Sequence, residues 1–279
     1  MRITRDTLQD QLARYKLTGL RYRTTQRLAH RLLDDRPTDR YIVAHPRSGS
    51  TWLRTILSNI VFPDQPSNPD VYNAYMPSVT LRSVPTLRKL PAPRLMVSHT
   101  NYLAGLPCVV YIVRDGRDAI VSSFHYWITR RQRDTVRDFG EFLQRYLLGS
   151  YGPLWHADVH GWLTAGKAEL DERLLVVRFE DMKARPIEMV SQIATFLQIA
   201  HTAEQVQMAV QGASIETMRQ VEQRRQEYDP NQADTSFYRG GKTGQWRDYF
   251  SPPLERAFCA VAADAMHLAG YRCDGGCHD

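Results

Sequence analysis

The 279-residue chain is 43% hydrophobic and 24% charged, with a formal net charge of +6. This length and composition exclude fibrous and disordered classes and predict one domain over residues 1–279. The longest apolar runs are far shorter than the ~20 residues of a membrane-spanning helix, and the charged start MRITRDTLQDQL has no secretory h-region, so we expect a cytoplasmic protein without a transmembrane segment.

The first 36 residues contain nine Arg/Lys and four acidic residues, with Leu8, Leu12, Tyr15 and Leu20 at roughly helical spacing. We predict that residues 1–36 form an N-terminal helical extension that packs on the domain and exposes a basic face. Contact with a membrane surface or a carrier protein is the alternative.

Short apolar runs then alternate with helical patterns along the chain. Strands are predicted at residues 39–44, 95–98, 108–113 and 173–179, and helices at 50–60, 116–128, 139–148, 153–167, 185–199, 203–211 and 252–269. Residues 63–93 contain seven prolines and are expected to form a long irregular excursion, while residues 225–246 read as a polar loop. The alternation predicts an α/β fold, a P-loop-like three-layer sandwich with a central parallel sheet flanked by helices.

Four cysteines are too few and too unevenly spaced for a disulfide scaffold, since three lie in the last twenty-one residues. We expect mostly reduced thiols. Cys273, Cys277 and His278 match none of the usual zinc spacings, so no metal site is predicted.

The segment HPRSGSTW (residues 45–52) lies where the first strand gives way to a helix. Backbone N–H groups and the helix dipole make such a place an anion site. Gly49 permits close backbone approach, and Arg47 offers a fork of donors matched to phosphate oxygens. Three hydroxyl side chains and a ring able to stack on a base complete the segment: Ser48, Ser50, Thr51 and Trp52. We interpret it as a phosphate loop, with an ordinary capped helix as the alternative.

This loop is not a Walker A loop, because G-x-x-x-x-G-K-[ST] is absent. The nearest match, Gly241-Lys242-Thr243, would need a glycine at position 236 and finds Ser236. A P-loop nucleotide kinase or ATPase therefore remains only the alternative function, since its lysine, serine and metal carboxylate do not occur together.

Three ordered motifs resemble those of sulfotransferases that use 3′-phosphoadenosine 5′-phosphosulfate (PAPS). AHPRSGSTW (44–52) resembles the family's 5′-phosphosulfate loop, usually YPKSGTTW; YIVRDGRDAIVSSFHYW (111–127) resembles its 3′-phosphate motif; and YRGGKTGQWRDYF (238–250) resembles its R-K-G-x-x-G-D-W motif. The segments at 150–162 and 176–186 are also similar to family segments. The resemblance covers about residues 40–255 and implies an enzyme that transfers a sulfuryl group from PAPS to a hydroxyl or amine.

Matched residue by residue, the resemblance implies that residues 47–52 bind the 5′-phosphosulfate and that Arg114 and Ser122 bind the 3′-phosphate. The alternative for Arg114 is a strand-end ion pair with Asp115 or Asp118. Trp52 and Phe179 match the family's adenine-stacking Trp and Tyr, although Phe179 lacks the hydroxyl. Four further positions are implied near the nucleotide, with Gly240 in place of the family's lysine: Ser214, Arg239, Gly240 and Gly241.

His99 matches the catalytic histidine of the family's K-x-H motif, with Val97 in place of the lysine. A histidine suits a general base because its ordinary pKa of ~6.5 leaves the ring largely neutral at pH 7. The implied reaction is an in-line displacement at sulfur that needs no metal. Arg47 stands where the family usually has lysine, and because arginine keeps its proton, we expect Arg47 to act electrostatically.

The sequence leaves the acceptor open. Residues 63–93, 127–137 and 225–238 mix aromatic and basic groups and are expected to line a pocket for a small-molecule, lipid or glycan acceptor. No nucleic-acid partner is expected, because many of the arginines fall in nucleotide-site motifs instead of a basic surface. A non-catalytic PAPS-binding relative is a further alternative, against which His99 argues. No motif defines the oligomeric state.

Overall fold

The protein, described by a computed structural model over residues 24–127, 136, 138–228 and 241–273, is built on a four-stranded parallel sheet. The strands are β1 (Arg40–Ala44), β2 (Leu95–Ser98), β3 (Val109–Val113) and β4 (Leu174–Arg178), in the spatial order β2-β1-β3-β4. Tyr41 of β1 lies opposite Met96 on one side and Val109 on the other. The predicted α/β architecture with a central parallel sheet is confirmed.

Helices cover both faces of this sheet. They are α1 (24–33), α2 (Ser50–Val61), α3 (Pro69–Tyr75), α4 (Val84–Leu87), α5 (Gly116–His125), α6 (Phe139–Leu147), α7 (Trp155–Gly161), α8 (Lys167–Leu170), α9 (Phe179–Ala184), α10 (Pro186–Phe196), α11 (Ala203–Gly212), α12 (Ile215–Tyr228) and α13 (Pro252–Leu268). A π-helical turn (Trp162–Gly166) joins α7 to α8, and 3₁₀ turns occupy Asp171–Arg173 and Gln245–Asp248.

Alternating side chains of the strands divide the core into two clusters. In β1, Tyr41 and Val43 belong to one cluster, and Ile42 and Ala44 belong to the other. Successive residues of a strand point to opposite faces, so a strand covered on both sides is apolar throughout. The result is a three-layer arrangement of helices, sheet and helices.

The parallel strands bring four chain segments to one edge of the sheet. The residues directly after the strands are His45, His99, Arg114 and Phe179, following β1, β2, β3 and β4 respectively. In open α/β sheets, ligands bind outside the carboxyl ends of the strands. This edge is therefore where a site is expected.

Three regions depart from the sequence prediction, one of them the unpredicted short helix α9 (Phe179–Ala184). Residues 63–93 contain the short helices α3 and α4, and Ser78 pairs with Val97 at the sheet edge. Asn68 begins α3 by accepting a hydrogen bond from the Asp70 N–H, a capping signal that the prolines obscured. The helix α12 was also missed, because its composition is polar and only local spacing marks it.

The expectation of reduced thiols is wrong for two cysteines. Cys259 of α13 and Cys273 form a disulfide. After α13 ends, the chain turns back at Gly270, whose φ is 76°, and this reversal brings Cys273 to the helix. Such proximity depends on the fold and is not readable from spacing. Cys108 is a free thiol, and Cys277 and His278 lie outside the described residues.

The described part of the N-terminal extension is the helix α1. Ala29 and Leu33 are buried in the core, whereas Leu28 and Leu32 are exposed. The Nε2 of the buried His30 lies 2.8 Å from the Ser98 hydroxyl at the end of β2. Over the residues that can be described, no helix is long and apolar enough to cross a membrane.

Candidate active site

The segment between β1 and α2 has the backbone geometry of an anion-binding loop. Arg47 and Gly49 both have left-handed backbones, with φ of 73° and 99°. The Ser48 N–H donates to the His45 carbonyl at 3.2 Å, which closes a turn. Gly49 caps α2 without a side-chain hydrogen bond, and no acidic residue occupies the first turn. The N–H groups at the start of α2 are thus not capped by a side chain.

Gly49 is required by its surroundings as well as by its φ. A Cβ built on Gly49 would lie 2.5 Å from the Cδ2 of Phe179, a contact closer than atoms can make. The Ser48 hydroxyl beside it is fully buried and lacks a hydrogen-bond partner among the described residues. Buried polar groups are normally paired, so an unpaired hydroxyl in this loop suits a ligand oxygen. Ser50 and Thr51 follow as the first two residues of α2.

Two predicted ligands that are 75 residues apart meet beside the loop. The Nε of Arg47 donates to the Ser122 hydroxyl of α5 at 3.1 Å. The Arg47 guanidinium also lies 5.1 Å from the centre of the Tyr126 ring. The side chain expected at the 5′-phosphosulfate and the one expected at the 3′-phosphate are therefore neighbours.

Arg114 is fixed in the site by backbone carbonyls. Its Nη1 donates to the carbonyl of Arg47 at 3.1 Å, and its Nη2 donates to that of Lys242 at 3.0 Å. The guanidinium lies 4.6 Å from the centre of the Phe179 ring. Burial lowers the pKa of Arg114, and three carboxylates oppose this shift, the strongest being Asp118. With an ordinary arginine pKa above ~12, the side chain stays a cation.

The ion-pair alternative for Arg114 is only partly realised. Asp118 approaches the Arg114 Nη2 at 3.9 Å, but Asp115 instead caps α5 and pairs with Arg117 at 2.8 Å. The Nε of Arg114 is buried with no partner among the described residues. A donor of this cation is therefore left for a ligand.

Asp118 holds the C-terminal motif against the site, a role that sequence reasoning missed. Its carboxylate accepts the backbone N–H groups of Gly244 at 2.6 Å and Trp246 at 2.9 Å. Gly241 begins this described segment with a φ of 56°. Arg239 and Gly240 lie outside the described residues. From the sequence, Asp118 was considered only as an ion-pair partner of Arg114, because no local pattern connects it to residues 244 and 246.

The predicted adenine platform is formed by rings from two distant segments. Trp52 and Phe179 meet edge to face with centroids 6.0 Å apart, and the Trp52 Nε1 donates to the Ala213 carbonyl at 3.1 Å. The next residue, Ser214, caps α12 by accepting the Thr217 N–H at 3.1 Å. The Nζ of Lys183 lies 5.0 Å from the Trp52 ring centre. Lys183 was not predicted, because a lone surface lysine on α9 carries no sequence signal.

His99 lies beside the root of the phosphate loop. Its Nδ1 is 2.8 Å from the carbonyl oxygen of Ala44. A carbonyl oxygen only accepts, so Nδ1 carries the hydrogen and Nε2 of the neutral ring keeps its lone pair. Burial lowers the pKa of His99, and the positive charges of Arg54 and Arg47 act in the same direction. The ring is therefore neutral at pH 7, with Nε2 able to accept a proton.

Comparison with known proteins gives this geometry a family. The model of the sulfotransferase domain matches residues 37–270. The chain belongs to the sulfotransferase family. It is a PAPS-dependent sulfotransferase, and the resemblance inferred from three short motifs is confirmed over most of its length.

Curated sulfotransferases are similar along most of the chain. Sulfotransferase 1B1 of Canis lupus familiaris is 28% identical over 259 residues, which cover 83% of this chain and 84% of that protein. Cytosolic sulfotransferase 5 of Arabidopsis thaliana is 26% identical over 266 residues, with 84% and 81% covered. An amine sulfotransferase of Oryctolagus cuniculus is 25% identical over 260 residues, with 84% and 83% covered.

Solved structures share the fold. Mouse sulfotransferase SULT7A1 complexed with PAP matches with a TM-score of 0.66 and 23% identity, covering 88% of this chain and 90% of the other. Retinol dehydratase in complex with androsterone and PAP matches with a TM-score of 0.67 and 22% identity, covering 84% and 82%. Among the residues that the structure describes here, no cluster of three His, Cys, Asp or Glu side chains could hold a metal ion.

Proposed function

We propose that this sulfotransferase binds PAPS across the carboxyl edge of the sheet. In this proposal the loop 47–52 takes the 5′-phosphosulfate, and Arg114 and Ser122 take the 3′-phosphate. One observation carries it: Arg47, Ser122 and Arg114 come from separate segments and meet through bonds of 3.1 Å from Arg47 to Ser122 and from Arg114 to Arg47. Clustered cations and hydroxyl donors suit a ligand with two phosphate groups.

The adenine would lie at the platform of Trp52 and Phe179. Base stacking on aromatic rings is tolerant of ring type, so Phe179 serves without a hydroxyl. Ser214 lies next to Ala213, which accepts from Trp52, and the segment of Arg239, Gly240 and Gly241 would close over the nucleotide. Arg239 and Gly240 remain predictions from the motif alone.

His99 is the proposed general base. Its Nε2 takes the proton of the acceptor hydroxyl, or amine, as the acceptor oxygen or nitrogen forms a bond to sulfur. On the opposite side, the bond between sulfur and the bridging oxygen breaks, and its electron pair leaves with 3′-phosphoadenosine 5′-phosphate (PAP). Arg47 and the loop N–H groups would stabilise the charge that develops on that oxygen. Arg47 keeps its proton, so its contribution is electrostatic.

The acceptor is proposed to be a small molecule with a hydroxyl or amine. Support comes from the similar proteins, one of them called an amine sulfotransferase and another solved with androsterone. A lipid or a glycan, which the sequence also left open, is the alternative acceptor. We further propose a single sulfotransferase domain with residues 1–36 as its extension, and a cytoplasmic location in keeping with the cytosolic sulfotransferases it resembles.

Calorimetry with PAP tests nucleotide recognition without knowledge of the acceptor. We expect micromolar binding of PAP that weakens by about 1.5–3 kcal/mol in Arg114→Ala, because a charge-assisted contact to the 3′-phosphate is lost. Adenosine 5′-monophosphate, which lacks the 3′-phosphate, should lose much less affinity than PAP, since Arg114 reaches the 5′-phosphosulfate loop only through its hydrogen bond to the Arg47 carbonyl.

Arg173→Ala is the matched control, since Arg173 also donates to two backbone carbonyls but at the surface. Equal binding of PAP, ATP and ADP would overturn the proposal and favour the kinase alternative. With PAP binding established, a screen of phenols, sterol-like alcohols and amines with labelled PAPS would identify the acceptor, with His99→Ala as the inactive control.

A further inference from the structure

A buried polar cluster lies beneath the phosphate loop, and the mechanism above does not use it. His45 follows β1 and its side chain is 2% exposed, as is that of Asp158 on α7. The His45 Nε2 lies 2.7 Å from the Tyr146 hydroxyl, and the Tyr111 hydroxyl donates to the Asp158 Oδ2 at 3.2 Å. The His45 Nδ1 faces that same carboxylate oxygen at 3.6 Å.

His45 is the residue from which the loop departs. Its carbonyl accepts the Ser48 N–H, so the position of His45 sets the turn that contains Arg47. Ala44, immediately before it, holds His99 through its carbonyl. Any displacement of His45 therefore moves both the loop and the proposed base.

The helix α7 contacts the other side of the nucleotide site as well. Its first residue, Trp155, donates from Nε1 to the carbonyl of Arg114 at 3.1 Å. The Trp155 ring also packs on Gly116, where a Cβ would come within 2.7 Å of it. The short helix α7 therefore contacts both parts of the site. Its Trp155 binds the strand end at Arg114, and its Asp158 faces His45 at the root of the loop.

Burying the polar groups of this cluster costs folding free energy. Burial raises the pKa of Asp158, and His45 is the strongest of the groups that oppose this shift. The His45 Nδ1 and the Asp158 Oδ1 have no hydrogen-bond partner among the described residues. Apolar side chains of similar size would fill this space without unpaired groups, so the pair needs an explanation beyond stability.

We propose that His45 and Asp158 are positioning residues which, through α7, fix the spacing between the loop for the 5′-phosphate group and the arginine for the 3′-phosphate. The inference rests on the proposed PAPS site. A ligand that engages both places gains affinity only when their spacing matches its own length, whereas a ligand that engages one place is indifferent to it.

The affinities for three ligands distinguish a changed spacing between the two phosphate sites from general damage to the fold. PAP has both the 5′- and the 3′-phosphate, adenosine 5′-monophosphate has only the 5′-phosphate, and adenosine 3′-monophosphate has only the 3′-phosphate. In Asp158→Asn, which preserves shape and replaces one carboxyl oxygen with an NH₂ group, we expect PAP to bind about tenfold more weakly and each monophosphate to change less than twofold. Calorimetry of the full chain measures all three.

Tyr146→Phe provides a second variant in case Asp158→Asn does not fold. It removes only the hydroxyl that holds the His45 Nε2, and we expect the same selective loss for PAP at about threefold. Tyr41→Phe is the matched control, because Tyr41 is equally buried on β1 but its hydroxyl bonds to Asp35, away from the loop.

The outcomes separate this inference from the proposed function. Equal weakening of all three ligands, or unchanged PAP binding in both folded variants, would overturn the positioning role while leaving the PAPS site intact. If the unmodified protein does not bind PAP at all, the proposed function fails first and the positioning role fails with it.

Discussion

The loop after β1 and the strand end after β3 lie side by side at the same edge of the sheet, yet they are made differently. The first, which we call the 5′ arm (residues 45–52), depends on backbone conformation, with left-handed residues at Arg47 and Gly49. The second, the 3′ arm (Arg114 and Ser122), depends on side chains held by hydrogen bonds to remote segments, such as the carbonyl of Lys242.

This difference determines what each arm tolerates. The 5′ arm depends on the left-handed backbone of two of its own residues, Arg47 and Gly49, so a single added methyl group can disturb it. The position of Arg114 is set by groups up to 128 residues away, so it is sensitive to changes in the C-terminal segment that never touch the ligand. Substitutions in each arm can test this contrast.

The largest effect is expected at His99, the proposed base, whose Nδ1 bonds to the carbonyl of Ala44 just before the 5′ arm. His99→Asn should lower kcat about 10²- to 10⁴-fold, since general-base catalysis contributes that much, while PAP affinity stays unchanged. Steady-state assays with an identified acceptor and calorimetry with PAP measure the two effects. His201→Asn is the control, because the His201 Nδ1 also lies 2.8 Å from a backbone carbonyl, that of Ile199, outside the site.

The pH dependence of activity also tests the role of His99. Burial lowers the pKa of His99, and the ring is active as a base only when it is neutral. Activity should therefore rise with pH through a pKa below the ordinary value of ~6.5 and be level by pH 7. A kcat/KM profile that is still rising above pH 7 would contradict the neutral resting state of His99.

Gly49→Ala should damage the 5′ arm nearly as much. The new Cβ meets both a left-handed φ and the Phe179 ring, which together should cost about 2–4 kcal/mol of the free energy of unfolding. PAP binding should weaken about 100-fold because the loop is displaced. Denaturant unfolding and calorimetry measure these losses.

Gly105→Ala distinguishes the effect of backbone strain from that of steric collision with a neighbouring side chain. Gly105 has a comparable φ of 89°, but a Cβ there meets nothing within 4 Å. We expect this variant to lose about 1 kcal/mol of stability, from strain alone, and to keep its PAP affinity. Equal stability losses in the two alanine variants would show that contact with Phe179 is unimportant.

The contrast between the arms also explains what the sequence could and could not predict. The loop HPRSGSTW combines a strand end, a glycine and a helix start within a few residues, so its local structure was predictable from residue types alone. The short strands were predictable because apolar runs are bounded by turn residues. Both signals are local, and the structure confirms the α/β fold that they indicated.

Contacts between distant segments were not predictable. The sequence positions of Asp118, Gly244 and Trp246 do not indicate that the Asp118 carboxylate accepts the N–H groups of the other two residues. The sequence also does not indicate that Cys259 bonds to Cys273. The short helix α3 was hidden among prolines, and α12 lacks an apolar stripe. The roles assigned to His99, Arg114 and Ser122 stay predictions until ligand binding is measured.

Asp118→Asn tests the dependence of the 3′ arm on the C-terminal segment. An amide can accept only one of the two N–H bonds from Gly244 and Trp246, and its NH₂ group faces the other donor. Losing one buried hydrogen bond should cost about 1–3 kcal/mol of stability and weaken PAP binding about tenfold. Binding of adenosine 5′-monophosphate should change little, because the 5′ arm is untouched.

Asp138→Asn controls for the loss of a carboxylate. Asp138 also accepts a backbone N–H, that of Glu141 at 3.0 Å, where it caps α6. This variant should leave the affinities for both nucleotides unchanged. If Asp118→Asn weakened adenosine 5′-monophosphate as much as PAP, the two arms would not be separable at this point.

The smallest effect is expected at Lys183, which lies beside Trp52 at the end of the 5′ arm. The Lys183 ammonium lies 5.0 Å from the centre of the Trp52 ring, and an exposed cation–π contact is worth ~0.5–1 kcal/mol, so Lys183→Met should weaken PAP binding about 2- to 5-fold. Because Lys183 acts through the adenine platform, adenosine 5′-monophosphate should weaken by the same factor, unlike in the Asp118 variant. Lys167→Met, an exposed lysine of α8, is the control. A loss confined to PAP would contradict this role and would associate Lys183 with the C-terminal segment instead, where a Cβ built on Gly241 would lie 3.9 Å from its Nζ.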